Sequence, residues 1–409
     1  MKCRHCGAEL SLPVIDLGSS PPSNAYLTES ALRAPEIWYP LRVLVCTHCW
    51  LVQTEDHAGR ESLFAYDYAY FSSFSTSWLA HAKDYVNDVT VRYGLDSSST
   101  LAEIAANDGY LLQYVAARGI PCYGIEPTAS TADAARKKGI DIVEEFFGVN
   151  LAKRLAGISR RADLIVANNV LAHVPDINDF VAGVEVLLKP NGVATFEFPH
   201  LMRLVAGTQF DTIYHEHYSY LSLLAVQRIF AANGMTVFDV EELATHGGSL
   251  RVHAQRAAGK ARPIADRVNT LMKTEVDLGM GSEGFYAGFQ LRADQAKNDL
   301  LEFLIEAKRA GKKVGAYGAA AKGNTLLNYA GVRPDLLPWV ADRNPAKQGK
   351  FMPGSRIPIV APTVIDHSKP DYLLILPWNL IEEVMQQNAH IREWAGKFVA
   401  AIPKLHVHA

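Results

Sequence analysis

Within Asp211-Thr-Ile-Tyr-His-Glu-His-Tyr-Ser-Tyr220 a carboxylate, Glu216, is flanked by His215 and His217, with Tyr214, Tyr218 and Tyr220 close by. Imidazole titrates near neutral pH and suits proton abstraction. A neighbouring carboxylate can orient such a base or stabilise its charged form, and a tyrosine hydroxyl can donate to a developing oxyanion. A metal reading of His215, Glu216 and His217 is weaker, because adjacent positions seldom converge on one ion and the helical spacing of paired metal histidines is absent. The residues leave two readings open: a general base beside a carboxylate, or a polar aromatic loop that closes a pocket. A second constellation is metallic. Cys3-x-x-Cys6 and Cys46-x-x-Cys49 are two knuckles whose spacing predicts one tetrahedral zinc rather than disulfides or redox chemistry. Four thiolates leave no open coordination position, so that zinc should be structural. His5 and His48 lie inside the knuckles as less favoured substitutes, and Cys122, at the start of an apolar run, reads as core.

A third constellation would hold a small ligand. Leu101-Ala-Glu-Ile-Ala-Ala-Asn-Asp-Gly-Tyr-Leu-Leu112 is an apolar run, a small polar turn and a helix-forming segment, and Tyr123-Gly-Ile-Glu-Pro127 is a second strand ending in an acid. That is the opening of a doubly wound sheet, and Glu126 falls about 20 residues beyond the turn, where a ribose-binding acid belongs. The turn lacks the glycine pattern that lets backbone amides approach a pyrophosphate. Ala105, Asn107 and Asp108 fill it, with the single Gly109. Side-chain oxygens and one glycine suit the amino-acid tail of S-adenosylmethionine better than a nicotinamide dinucleotide. Glu126 and Pro127 are then expected at the ribose, with Glu103, Ala105, Asn107, Gly109 and Tyr110 around the methionine tail. Asp163–His173 reads as a fourth strand breaking into a polar loop at Asn168 and Asn169, and Leu187–Pro199 as helix end, turn and fifth strand. Both resemble later motifs of class I methyltransferases.

The elements that must position these groups divide the chain. Residues 1–60 form the zinc-binding module, with a Pro-rich loop from Gly18 to Ala25. Residues 61–97 hold an aromatic segment and a helix that ends near Tyr93. Residues 98–260 form the ligand-binding α/β domain. A helical region is expected over about 284–310, inside a second α/β domain, residues 261–409. There Lys312–Thr325 repeats strand, small-residue turn and helix, and further strands are predicted at Leu337–Asp342, Asp371–Trp378 and Phe398–Pro403.

The 409 residues are 49% hydrophobic, enough for more than one core, and the formal charge is only −3. No basic run stands out, which argues against nucleic acid as partner. No apolar stretch reaches the ~20 residues of a membrane helix, and no signal-peptide core is present at the start, so a cytoplasmic location is expected.

Taken together, the paired Cys-x-x-Cys motifs, Glu103–Leu112, Tyr214-His-Glu-His-Tyr218, Thr245-His-Gly-Gly-Ser-Leu-Arg-Val252 and Tyr317–Leu327 resemble, in order along nearly the whole chain, the three-domain S-adenosylmethionine-dependent sugar C-methyltransferases. That family acts on nucleotide-linked, typically dTDP-linked, 4-keto-deoxysugars, and the match is to its C-3 methyltransferases of branched-sugar biosynthesis. One departure is Ala105-Ala106, where Ala-Ser is commoner. The resemblance implies a class I, Rossmann-like methyltransferase domain between the zinc module and a C-terminal Rossmann-like α/β domain. It implies that His217 removes the C-3 proton, without a catalytic metal, while Glu216, Tyr214 and Tyr68 position it or steady the enolate oxygen. His173 would face the sugar, and Tyr70 competes with Tyr68. Lys322 and Asn324, in the C-terminal turn, would hold the sugar nucleotide. The expected assembly is a monomer or small homo-oligomer. A nicotinamide-dependent oxidoreductase is the competing enzyme reading, weakened because Gly315, Gly318 and Gly323 miss the dinucleotide spacing. A non-catalytic zinc scaffold is the other, disfavoured by polar loops at both predicted strand ends.

Overall fold

A computed structural model describes residues 1–57, 59, 71–259 and 262–408. Three sheets organise them. The first begins with β1 (Leu12–Ser20), β2 (Tyr39–Val45) and β3 (Val52–Thr54), an antiparallel meander that buries Val14, Ile15, Leu41 and Val43. Its outer neighbour comes from far along the chain: β9 (Ser219–Tyr220) pairs antiparallel with β3. The segment that carries the two histidines is thus annexed by the cysteine module.

The second sheet contains β4 (Leu101–Ile104), β5 (Cys122–Ile125), β6 (Asp141–Val143), β7 (Ala162–Asn168), β8 (Leu188–Pro199), β10 (Met235–Leu243) and β11 (Ser249–Arg256), in the order β10-β11-β8-β7-β4-β5-β6. The first five are parallel, and β10 and β11 run antiparallel at one edge. β4 is buried along its whole length, and β7 nearly so, as their continuous apolar runs require of strands covered on both faces. Chain order reverses between β4 and β7, and a ligand crevice belongs outside their carboxyl ends. The helix Thr76–Tyr93 covers one face through Trp78, Ala82, Tyr85, Val86 and Val89, a helical stripe. It starts where the Ser75 hydroxyl accepts from Trp78 N and stops at Gly94 in the left-handed region.

The third sheet holds β12 (Val314–Tyr317), β13 (Val340–Ala341), β14 (Ile359–Val360), β15 (Tyr372–Ile375), β16 (Lys397–Ala400) and β17 (His406–His408), ordered β14-β13-β12-β15-β16-β17 and parallel except for β17. Gly315 leaves room for the Trp339 ring over β12: a Cβ there would lie 2.1 Å from it, so any larger residue would make the indole move. The strand expected over Leu337–Asp342 pairs only at Val340–Ala341; Pro338 has no amide proton to offer a ladder. The helical region expected over 284–310 is broken. Glu283–Tyr286 ends, and Phe289–Arg309 starts after Gly288, whose φ of 78° no helix continues. Among the described residues, no helix is long and apolar enough to cross a membrane.

The two parallel sheets repeat one device. After β5, the Glu126 carboxylate accepts from Asn107 N and Thr128 N, both at 2.9 Å, so it braces the turn that follows β4. After β13, Asp342 accepts from Ala319 N at 2.7 Å and braces the turn that follows β12.

Candidate active site and metal centre

The four cysteine sulfurs Cys3, Cys6, Cys46 and Cys49 lie within 4.8 Å of one another, with Cys3–Cys49 and Cys6–Cys46 each at 3.5 Å. Tetrahedral zinc with bonds of ~2.3 Å needs sulfurs roughly 3.8 Å apart, which this cage matches. Both knuckles are the same turn: Gly7 N donates to the Cys3 carbonyl and Trp50 N to that of Cys46, with Gly7 and Trp50 left-handed. His5 turns away to Asn178 Oδ1 at 2.8 Å, and His48 is exposed. Thiols this close compete for protons. The hydrogen bond from Cys49 brings Cys3 down to about 4, whereas the same contact and burial push Cys49 up. A bound dication would remove that conflict by accepting all four as thiolates.

A cleft of about 360 Å³ opens at the carboxyl ends of β4, β5 and β7. Ala105, Asn107 and Tyr110 line it from the first turn, Glu126 and Pro127 from the end of β5, and Asn168 and Asn169 from the end of β7. The Oδ1 atoms of Asn168 and Asn169 are buried without a hydrogen-bond partner among the described residues, and so stand ready to accept from a ligand. Glu126 uses one lone pair of each oxygen on the backbone and keeps others for hydroxyls; burial raises its carboxyl above the ordinary range. Gly109 and Glu103 are placed one layer deeper. Gly109 supplies the left-handed bend, φ 73°, and closes on Ala135. Glu103 is buried, and its carboxyl is pushed well above the ordinary value by desolvation, with Tyr110 pulling back and Asp108 and Glu126 adding repulsion. This donor set fits the ribose and amino-acid tail of S-adenosylmethionine. Left-handed backbone at the non-glycines Ala105, Asn107, Asn169 and His246 concentrates strain around the same space.

His217 lines the cleft and is buried. Its Nδ1 lies 2.9 Å from the Thr212 carbonyl, which can only accept, so Nδ1 carries the proton and Nε2 is the basic nitrogen. Burial, helped by the charges of His173 and Lys322, holds its pKa well below 6.5, so the ring is neutral at pH 7. The Tyr214 ring lies 4.0 Å from it and the His173 ring 4.6 Å, and both residues line the cleft. His173 is fixed in the same way, Nδ1 to the Glu216 carbonyl at 2.7 Å, with burial lowering it to about 4.

Glu216 is not beside the base. Its side chain turns from the cleft toward the Pro-rich loop, where Oε1 accepts from Asn24 Nδ2 at 3.1 Å, and Asn24 is the group that lines the cleft. His215 packs on Tyr39, with Nε2 near the Pro40 carbonyl. From the third sheet, Lys322 reaches the cleft, its Nζ donating to Asn379 Oδ1 at 2.6 Å and lying over the Trp378 ring. Asn324 does not reach it; Nδ2 donates to the Ser23 carbonyl at 2.6 Å and ties its helix to the Pro-rich loop. Tyr68 and Tyr70 lie outside the described residues. The cleft also uses residues that the sequence reading did not single out: Trp78, Thr128, Phe146, Phe147, His246 and Lys347. Phe146 and Phe147 follow β6, the third parallel strand, where the crevice rule could have found them. Trp78 stacks on His81 and tilts against His246, a contact between distant segments that no local pattern announces.

The chain has known relatives over nearly its whole length. Residues 3–64 match a zinc binding domain family, 78–240 a methyltransferase domain family, and 244–403 the C-methyltransferase C-terminal domain family. Over 403 residues the chain is 32% identical to the C-methyltransferase NovU of Streptomyces niveus, covering 98% of this chain and 96% of that protein. It is 28% identical over 146 residues, 31% of its length, to 60% of the ubiquinone biosynthesis O-methyltransferase of Histophilus somni (strain 2336). Among solved structures, the magnesium protoporphyrin IX methyltransferase of Synechocystis PCC 6803 with bound SAH aligns at 14% identity and a TM-score of 0.36, over 44% of this chain and 83% of that one. The chain belongs to the three-domain C-methyltransferases. It is an S-adenosylmethionine-dependent enzyme whose four-cysteine cage is a structural zinc site, and the nicotinamide reading is not favoured.

Proposed function

We propose that the enzyme methylates C-3 of a nucleotide-linked 4-keto-deoxysugar, with dTDP as the nucleotide, and that His217 is the general base. The observation that carries this reading is the fixed tautomer: a neutral, buried imidazole in the cleft with its proton committed to the Thr212 carbonyl and Nε2 available. The 4-ketone acidifies the C-3 hydrogen. His217 Nε2 takes that proton, and the C–H electron pair moves into an enolate whose negative charge rests on the ketone oxygen. Bound S-adenosylmethionine supplies an electrophilic methyl group to the enolate carbon. Tyr214, against the His217 ring, is proposed as donor to the enolate oxygen, with Tyr68 or Tyr70 as a further candidate. Glu216 acts at one remove, by orienting Asn24.

The helix Ala321–Tyr329 opens on the cleft without a side-chain cap, so its first amides, Lys322 and Lys347 together favour a diphosphate. His173 is proposed to contact the sugar. A cytoplasmic location would keep the four thiolates reduced. Incubation with S-adenosylmethionine and a panel of keto-sugar nucleotides, read as a mass gain of one methyl, tests the assignment. Methylation of a non-sugar acceptor alone would overturn it.

A further inference from the structure

We propose that Thr54 is a positioning residue for His217, and that the adjacent pair Gln53–Thr54 ties alignment of the base to the four-cysteine cage. This rests on the reading of His217 as the base. β3 stands between the cage and the base-bearing segment, and its last two residues are polar although buried. A buried amide or hydroxyl is costly unless bonded, so their partners say what they are for. Gln53 faces the metal module: Nε2 donates to Cys3 Sγ at 3.3 Å, and Oε1 accepts from Arg4 N at 3.0 Å inside the first knuckle. Its backbone pairs with Ser219 of β9. Thr54, one residue on, faces the base. Its hydroxyl donates to the His217 carbonyl at 2.8 Å, and its amide donates to the Tyr218 carbonyl at 3.2 Å.

Successive side chains of a strand point to opposite faces, so two neighbouring residues can grip two different structures. The His217 main chain is held by Thr54, and its ring by the Thr212 carbonyl. With both fixed, Nε2 has little freedom relative to a bound sugar. The cage, far from being only a stabiliser of its own module, then sets the register of β3 on which the base hangs.

The test uses full-length, zinc-loaded protein and a dTDP-4-keto-deoxysugar in deuterated buffer. Thr54→Val keeps the β-branched shape and removes the hydroxyl. Deuterium uptake at C-3 and methyl transfer should fall together by ~10-fold or more, the scale of a small misplacement of a catalytic group. Zinc content, S-adenosylmethionine affinity and KM for the sugar should stay near wild type, and Thr54→Ser should restore the rate. Wild-type uptake in Thr54→Val, or a Thr54→Ser enzyme as slow as the valine variant, would overturn the positioning role. His217→Asn, run alongside, separates the two ideas: if it takes up deuterium normally, the base assignment is what fails. Independently of activity, backbone hydrogen exchange should show that chelating the zinc, or Gln53→Leu, exposes residues 212–220 before β4 or β7. Simultaneous exposure of all three, or no exposure of 212–220, would overturn the link to the cage.

Discussion

Replacing Glu126 with glutamine is predicted to weaken S-adenosylmethionine binding by roughly 10- to 150-fold. The carboxylate accepts from Asn107 N and Thr128 N and lines the cleft at the end of β5. Glutamine keeps the shape but turns one acceptor oxygen into an NH2 group that must face either a backbone N–H or the ligand. One charge-assisted hydrogen bond is worth ~1.5–3 kcal/mol, and each ~1.4 kcal/mol is a factor of ten in Kd. Calorimetric titration of the zinc-loaded variant, with thermal melting to verify the fold, reads this directly. Burial raises the Glu126 carboxyl above 4.5, so wild-type affinity should begin to fall at a higher pH than an exposed carboxylate would dictate. The variant should lack that fall. A folded Glu126→Gln protein whose Kd stays within about twofold of wild type refutes the reasoning.

Cys46→Ser should lose zinc by elemental analysis and melt at a lower temperature; full zinc with unchanged melting would contradict the cage. Burial and neighbouring charge hold His217 well below 6.5, so the acid limb of kcat/KM, where the base becomes protonated, should lie below that pH; a limb at or above 6.5 argues for another base. Glu275 is fully buried, accepts from Leu223 N and Leu224 N, and pairs with His200 Nε2 at 2.7 Å. Glu275→Ala should therefore cost ~3–5 kcal/mol in denaturant titration, and a loss under about 1 kcal/mol would show that these groups find other partners.

Legibility followed the reach of each interaction. The cysteine knuckles and the Glu126 spacing are local constraints of metal geometry and of a β-turn-α-β unit, so the pattern along the chain carries them. The fate of Glu216 is not local. It adjoins His217 in sequence, yet it was drawn to Asn24 by a loop nearly two hundred residues earlier. Asn324 was likewise taken by Ser23, whereas Lys322, on the same helix, reached the cleft. Which side of a short element faces a site depends on what packs against it, and here that partner is another domain. The capture of Ser219–Tyr220 by β3 has the same origin, because a two-residue strand has no hydrophobic period to read.

Deuterium uptake at C-3 of a dTDP-4-keto-deoxysugar tests the central claim most directly, because it isolates proton removal from methyl transfer. In His217→Asn, uptake and methylation should both fall by ~10²-fold or more while S-adenosylmethionine affinity and melting temperature hold. Near-normal uptake in a folded His217→Asn enzyme would contradict the account and move the base elsewhere in the cleft.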